Sequence, residues 1–317
     1  MDQAEKLRSI VKKNSVKDTE QEDIINSIVQ KVNEDAQKKE KTARVITVTS
    51  GKGGVGKSSV SINLAIQLRK RGKSVIIFDA DFGLANIEVM FGAVPQYNLS
   101  DVIFKGKDIR EIIVNGPMDI GFISGGSGIS GLGNMTRDQV MYLVDKLKEI
   151  EEMADILIID TGAGISDSVI EFVLSSAEVL LVTTPEPTSI TDSYALLKTL
   201  NARAGSDSEN IVVKLVANRV SGQAEAQNLY HKLNIVVNKF LKLRLEYLGM
   251  VPWDANMPKS IMKQKPISIA YPNSEGARAV EKIADAMLGD SDAESSGNYE
   301  KKGIAAAIVK MFKNKKS

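Results

Sequence analysis

Ser50-Gly51-Lys52-Gly53-Gly54-Val55-Gly56-Lys57-Ser58-Ser59 decides how this chain is read. From Gly51 to Ser58 it fits the pattern G-x-x-x-x-G-K-[ST]. The β-branched run Val45-Ile46-Thr47-Val48-Thr49 precedes it, and a helix-period pattern through Val60, Leu64, Ala65 and Leu68 follows. Strand, glycine turn and helix are the setting in which this pattern holds phosphate. The glycines let backbone N–H groups turn towards an anion, and the next helix adds its positive dipole end. Gly53, Gly54, Val55, Gly56, Lys57, Ser58 and Ser59 are therefore expected to cradle the phosphates of a nucleotide. Lys57 would reach the β- and γ-phosphates and the Ser58 hydroxyl would ligate Mg²⁺. The alternative is a plain Gly-rich turn in a Rossmann-like sheet.

Length and composition narrow the field. A chain of 317 residues suits one large α/β domain with tails, or two small domains, and 43% hydrophobic residues is ample for a core. Basic residues number 41 and acidic ones 40, so no whole-chain attraction to nucleic acid is implied and no specific nucleic acid is expected as a partner. The absence of cysteine fits a reducing cytosol and removes iron–sulfur chemistry, whose clusters need thiolates. No run approaches the roughly 20 apolar residues of a membrane span. The start, Met1-Asp2-Gln3-Ala4-Glu5, has neither the basic nor the apolar part of a signal peptide.

From residue 45 the chain alternates strand and helix. Val75–Phe78, Ile156–Ile159, Val179–Val182 and Ile211–Val216 are near-continuous apolar runs with helical patterns between most of them. Such strands point to a doubly wound, mostly parallel α/β sheet covered on both faces. Residues 44–290 form the expected nucleotide domain. Before it, residues 1–43 read as a polar, helical tail, opened by a capping box at Asp2-Gln3-Ala4-Glu5 with Leu7, Ile10 and Val11 as its apolar stripe. A helix this short needs a partner surface. Residues 291–300 read as a Ser/Asp/Gly-rich linker.

Residues 301–317 read as a basic amphipathic helix. Ile304, Ala307, Ile308, Met311 and Phe312 share one face, with Lys302, Lys310 and Lys313 opposite. That is the pattern of a helix lying in an anionic membrane surface, and two copies on a dimer would bind more firmly than one. The competing expectation is a tail helix docked on its own domain. His231, the single histidine, is expected on the surface, so neither a hydrolytic triad nor a histidine metal site is supported.

Two strands end in acids at their carboxyl ends, where ligands of parallel sheets bind: Asp79-Ala80-Asp81 and Asp160-Thr161-Gly162. A third ends in Asn218-Arg219, and Val251-Pro252-Trp253-Asp254 comes later. Together with K-G-G-x-G-K-[ST] at Lys52 to Ser58, these stretches resemble the deviant Walker A ATPases of the MinD/ParA family over residues 44–290. The resemblance implies slow, Mg²⁺-dependent ATP hydrolysis by a homodimer, in which Lys52 reaches the nucleotide of the other subunit. It implies that Asp160 holds Mg²⁺ through water, that Asp81 orients the attacking water, and that Asp79 supports the metal shell, although Asp79 could instead cap a helix. It assigns base recognition to Asn218, Arg219, Pro252 and Asp254, while Trp253 reads better as a packing or protein-contact residue. Residues 187–204 would face the dimer partner.

Asp2-Gln3-Ala4-Glu5-Lys6-Leu7-Arg8 and Asp79-Ala80-Asp81-Phe82-Gly83-Leu84-Ala85-Asn86-Ile87 are similar to stretches of the family's branch that regulates flagellar number and placement. That narrower resemblance implies a FlhF-type GTPase contacted through Gln3, Leu7 and Arg8, and flagellar switch proteins of the FliM/FliN/FliY type. It places the protein in the cytoplasm, reversibly on the membrane's inner face. A MinD-like division regulator and a ParA-like partitioning ATPase are the alternatives.

Overall fold

The computed structural model describes residues 43–81, 86–125, 137–289 and 303–314. Gln3, Leu7 and Arg8 of the expected tail, and the expected linker 291–300, lie outside them.

Among the described residues, eight strands form one sheet in the order β3-β4-β2-β5-β1-β6-β7-β8. They are β1 (Arg44–Ser50), β2 (Val75–Ala80), β3 (Val114–Asn115), β4 (Gly121–Ser124), β5 (Ile156–Ala163), β6 (Glu178–Thr183), β7 (Val212–Val220) and β8 (Arg244–Pro252). Every neighbouring pair is parallel except β3 with β4. The expected strands all form; β3, β4 and β8 are additions. Gly121-Phe122-Ile123-Ser124 is too short a run to announce a strand by itself, and it forms one by pairing with Ile76 to Asp79 of β2.

The helices are α1 (Lys57–Lys70), α2 (Asn86–Phe91), α3 (Leu99–Lys105), α4 (Arg137–Met153), α5 (Asp167–Ser175), α6 (Pro187–Ala204), α7 (Gln223–Phe240), α8 (Asn256–Met262), α9 (Ile267–Ala270), α10 (Glu275–Gly289) and α11 (Gly303–Asn314). They cover both faces of the sheet, which is why the central strands are buried at nearly every position and mostly apolar. Successive side chains of a strand point to opposite faces. Ile46 and Val48 of β1 therefore pack with Ile62 and Leu64 of α1 and Ile283 of α10, whereas Val45 joins the opposite layer with Leu147 of α4 and Phe172 of α5. A third cluster joins β6, β7 and β8 to α6 and α7 through Leu181, Leu197, Leu215 and Leu229.

The C-terminal helix forms as expected, but its apolar face meets protein. α11 packs against α4 and α5. Ile304 and Ile308 are fully buried and Met311 nearly so. Ala305, Ala306 and Val309 are buried as well, so burial extends well beyond the single expected stripe. A helix apolar around most of its circumference buries itself in a core. Glu151 of α4 fixes the start of α11, its Oε1 accepting from the Ile304 backbone N–H at 2.7 Å. Of the two expectations for this helix, the docked tail is the arrangement in this structure: α4 and α5 cover Ile304, Ile308 and Met311. Lys310 is half-buried, and the side chains of Phe312 and Lys313 lie outside the described residues.

Candidate nucleotide site

The glycine loop leaves the carboxyl end of β1, next to β5 and β6, and feeds α1. Its backbone geometry explains two of its glycines. A Cβ on Gly51 would lie 2.2 Å from the backbone carbon of Asp192, so the loop runs directly against α6. Gly56 sits at φ 94°, and a Cβ there would meet the Asn218 side-chain nitrogen at 2.4 Å. Gly56 is also the N-cap of α1, whose side-chain cap is absent. The free N–H groups of that helix start are what an anion would satisfy.

Charge converges below the loop. Lys57 is buried, and its Nζ lies 3.6 Å from Oδ1 of Asp160. Asp160 is completely buried at the centre of the sheet. Burial raises its carboxyl above the usual range, opposed by the Lys57 ammonium and by hydrogen bonds from the Ser58 and Ser61 hydroxyls. Its Oδ2 is buried without a hydrogen-bond partner. An orphaned carboxylate oxygen beside the Ser58 hydroxyl suits the water shell of a hard divalent cation. The residues present therefore fit Mg²⁺ bound with a nucleotide: Ser58 would hold the ion directly and Asp160 through water.

Asp79 faces Asp160 across the β2–β5 pairing. Its pKa is raised to about 7, first by burial and then by the Asp160 charge, against hydrogen bonds from the Asp81 and Ile87 amides. Those bonds take one oxygen each: Asp81 N–H donates to Oδ1 at 3.1 Å, and Ile87 N–H to Oδ2 at 3.3 Å. Ile87 is in the first turn of α2, so Asp79 braces the loop end and caps that helix. Of the two roles left open by sequence, the cap is the one its contacts describe. Asp81 lies beside Gly162, whose notional Cβ stands 3.8 Å from Asp81 Oδ1.

The residues expected to read the base are brought to the same end of the sheet, with the Asn218 and Asp254 side chains engaged by their own chain. Both halves of the Asn218 amide are occupied: Nδ2 donates to the Val55 carbonyl at 2.7 Å, and Oδ1 accepts from the Arg219 N–H at 3.0 Å. Asn218 ties β7 to the phosphate loop, and Arg219 takes a left-handed φ of 58° immediately after it. Asp254 accepts from the backbone of Asn256 and Gly276, bracing the loop after Pro252 against the start of α10. Burial would raise its carboxyl; the hydrogen bonds outweigh this and hold it below the usual range. Trp253 is 64% exposed, so it is not a packing residue of this chain. His231 is exposed, as expected.

Lys52 turns outward. Its Nζ donates to Glu186 Oε2 at 2.8 Å and to Thr188 Oγ1 at 2.9 Å, both at the start of α6. Sequence reading missed Glu186, because nothing local links an acid before Pro187 to a loop lysine far upstream. It also missed Ser61, one helical turn beyond Lys57.

Residues 41–288 match the ParA family, described as NUBPL iron-transfer P-loop NTPase. The chain belongs to the ParA/MinD family of P-loop NTPases and is an ATP-binding ATP hydrolase of that family. Within it, the chain is 39% identical to the antiactivator FleN of Pseudomonas aeruginosa over 76% of its own length and 85% of that protein. It is 30% identical to the flagellum site-determining protein YlxH of Helicobacter pylori, over 85% and 90%. These relatives define the FlhG group. The fold is shared with the MinD cell division protein solved with MinC from Aquifex aeolicus, at a TM-score of 0.62 and 23% identity over 78% of this chain and 96% of that one. Pyrococcus horikoshii MinD complexed with Mg-ADP gives a TM-score of 0.61 at 22% identity, over 80% and 99%. With no cysteine, this chain has no thiolates for iron transfer. Among the described residues no helix is long and apolar enough to cross a membrane.

Proposed function

We propose that the chain is a nucleotide-operated switch setting flagellar number or placement, whose working state is an ATP-bound homodimer. The observation that carries this reading is the outward Lys52, held among the described residues by the exposed Glu186 and Thr188 and so available to a second nucleotide. Mg²⁺ supplies charge neutralisation across the β- and γ-phosphates when bound. The protein's part is positional: the loop amides and Lys57 grip phosphate, Asp160 and Ser58 locate the ion, and Asp81 orients water.

In this reading α11 leaves its groove on α4 and α5 and lies in the anionic inner leaflet, with Ile304, Ile308 and Met311 exchanging protein for lipid. Each of these side chains is worth ~1.5–3 kcal/mol when buried in either place. The exchange is therefore nearly balanced, and two tethered copies tip it. The tail, through Gln3, Leu7 and Arg8, would serve a FlhF-type GTPase, and flagellar switch proteins would be the assembly partners. A peptide spanning residues 1–35 must raise the turnover of such a GTPase; no change removes the tail from this reading.

Similarity to FleN and YlxH supports the flagellar assignment over division or partitioning. The test is a deletion strain of the source organism complemented with wild-type or Lys57→Ala protein, with flagella counted by electron microscopy. Wild type should restore the normal number and site, and Lys57→Ala should not. A deletion strain with normal flagella contradicts the assignment.

A further inference from the structure

Ser61 stands in the interior of α1 among Val60, Ile62 and Leu64, fully buried. Serine at such a place is a poorer helix former than alanine and brings a hydroxyl that must be satisfied. Two acceptors compete for its single proton. The Lys57 carbonyl, four residues back, lies 3.2 Å from Oγ, and Asp160 Oδ1 lies 2.9 Å away. The shorter contact is to a carboxylate, and charge-assisted hydrogen bonds are the stronger kind.

The consequence falls on Asp160. Its terminal torsion is intrinsically loose, so nothing in the side chain itself decides which oxygen faces which neighbour. Oδ1 has both the Ser61 hydroxyl and, at 3.6 Å, the Lys57 ammonium. The Ser58 hydroxyl, which the ion would engage, also acts on this carboxylate, and Oδ2 has no hydrogen-bond partner. The geometry points to Ser61 as a positioning residue that pins Oδ1 of Asp160, keeping Oδ2 for the water shell of the divalent ion and keeping Lys57 from closing onto the carboxylate. Removing the hydroxyl frees the carboxylate to rotate and pair with Lys57. The water shell of the ion then loses a preoriented partner.

This inference rests on Asp160 serving the divalent ion, and the experiment separates the two. Binding of mant-ATP is followed by fluorescence in EDTA and along a Mg²⁺ titration, for wild type, Ser61→Ala and Ser61→Thr. In wild type the affinity should rise with Mg²⁺. In Ser61→Ala the Mg²⁺ concentration at half-effect should increase about five- to tenfold, with affinity in EDTA within twofold of wild type. Ser61→Thr, which keeps the hydroxyl, should return towards wild type.

A half-effect concentration for Ser61→Ala within twofold of wild type overturns the role given to Ser61 while leaving Asp160 in place. Equal weakening with and without Mg²⁺ also overturns it, since that reports a distorted loop. Wild-type binding indifferent to Mg²⁺ overturns both. If Ser61→Thr melts early in EDTA because its extra methyl group does not fit, the Ala comparison alone decides.

Discussion

Lys52 Nζ and Glu186 Oε2 stand 2.8 Å apart within one chain, joining the shoulder of the phosphate loop to the residue before α6. The hydrogen bond from Lys52 holds the Glu186 carboxyl below its ordinary range. Both groups are substantially exposed, with side-chain exposures of 35% and 54%, so the pair is a weak tether that solvent and salt loosen. A lysine that must cross to a second nucleotide first has to leave this carboxylate.

Removing the tether should therefore favour association. Glu186→Gln, with Mg²⁺ and ATP, should dimerise at a protein concentration about two- to fivefold lower than wild type, the scale of an exposed ion pair. Sedimentation velocity across a concentration series reads this directly. Weaker association in the variant would mean that Glu186 supports the dimer rather than competing with it.

The carboxylate group around Asp79 predicts a pH dependence of the nucleotide-free protein. With a folded pKa of about 7 against an ordinary 3.8, Asp79 holds its proton more tightly when folded. The folded state therefore binds more protons between those values, and this group's contribution to stability falls as pH rises from about 4 to 7, then levels off. Asp79→Asn should flatten that slope and raise the melting temperature most near pH 7.5. A slope unchanged by the substitution assigns the effect elsewhere.

α11 makes the third prediction. A chain ending at residue 302 uncovers apolar surface on α4 and α5, including Leu143 and Leu147. Nucleotide-free protein should lose about 1–2 kcal/mol after the ordering cost of the helix is recovered, equivalent to roughly 2–8 °C in melting temperature. It should also bind anilinonaphthalene sulfonate more strongly than the full chain. Equal melting and equal dye binding would mean that the helix is undocked in solution.

Much of this was legible in the sequence because its signals are local. Gly51 to Ser59 carries its own turn chemistry, and the apolar runs of β1, β2, β5, β6 and β7 needed only to be read as buried on both faces. What escaped depends on distant partners. β4 exists because β2 offers it an edge. Asn218 could be placed at the nucleotide end, but its amide was assigned to the base, whereas Val55 and Arg219 take it up. The helical wheel of residues 304–312 described an apolar face correctly and could not say whether lipid or α4 and α5 would cover it.

The most direct measurement of the central claim is the molar mass, by light scattering, of Asp81→Ala protein eluting from a sizing column in Mg²⁺ and ATP. Loss of the Asp81 carboxylate should leave the nucleotide uncleaved and the protein at the mass of two chains, and adding Lys52→Ala should return it to the mass of one. Asp81→Ala protein that binds ATP yet elutes at the mass of a single chain would contradict the switch outright.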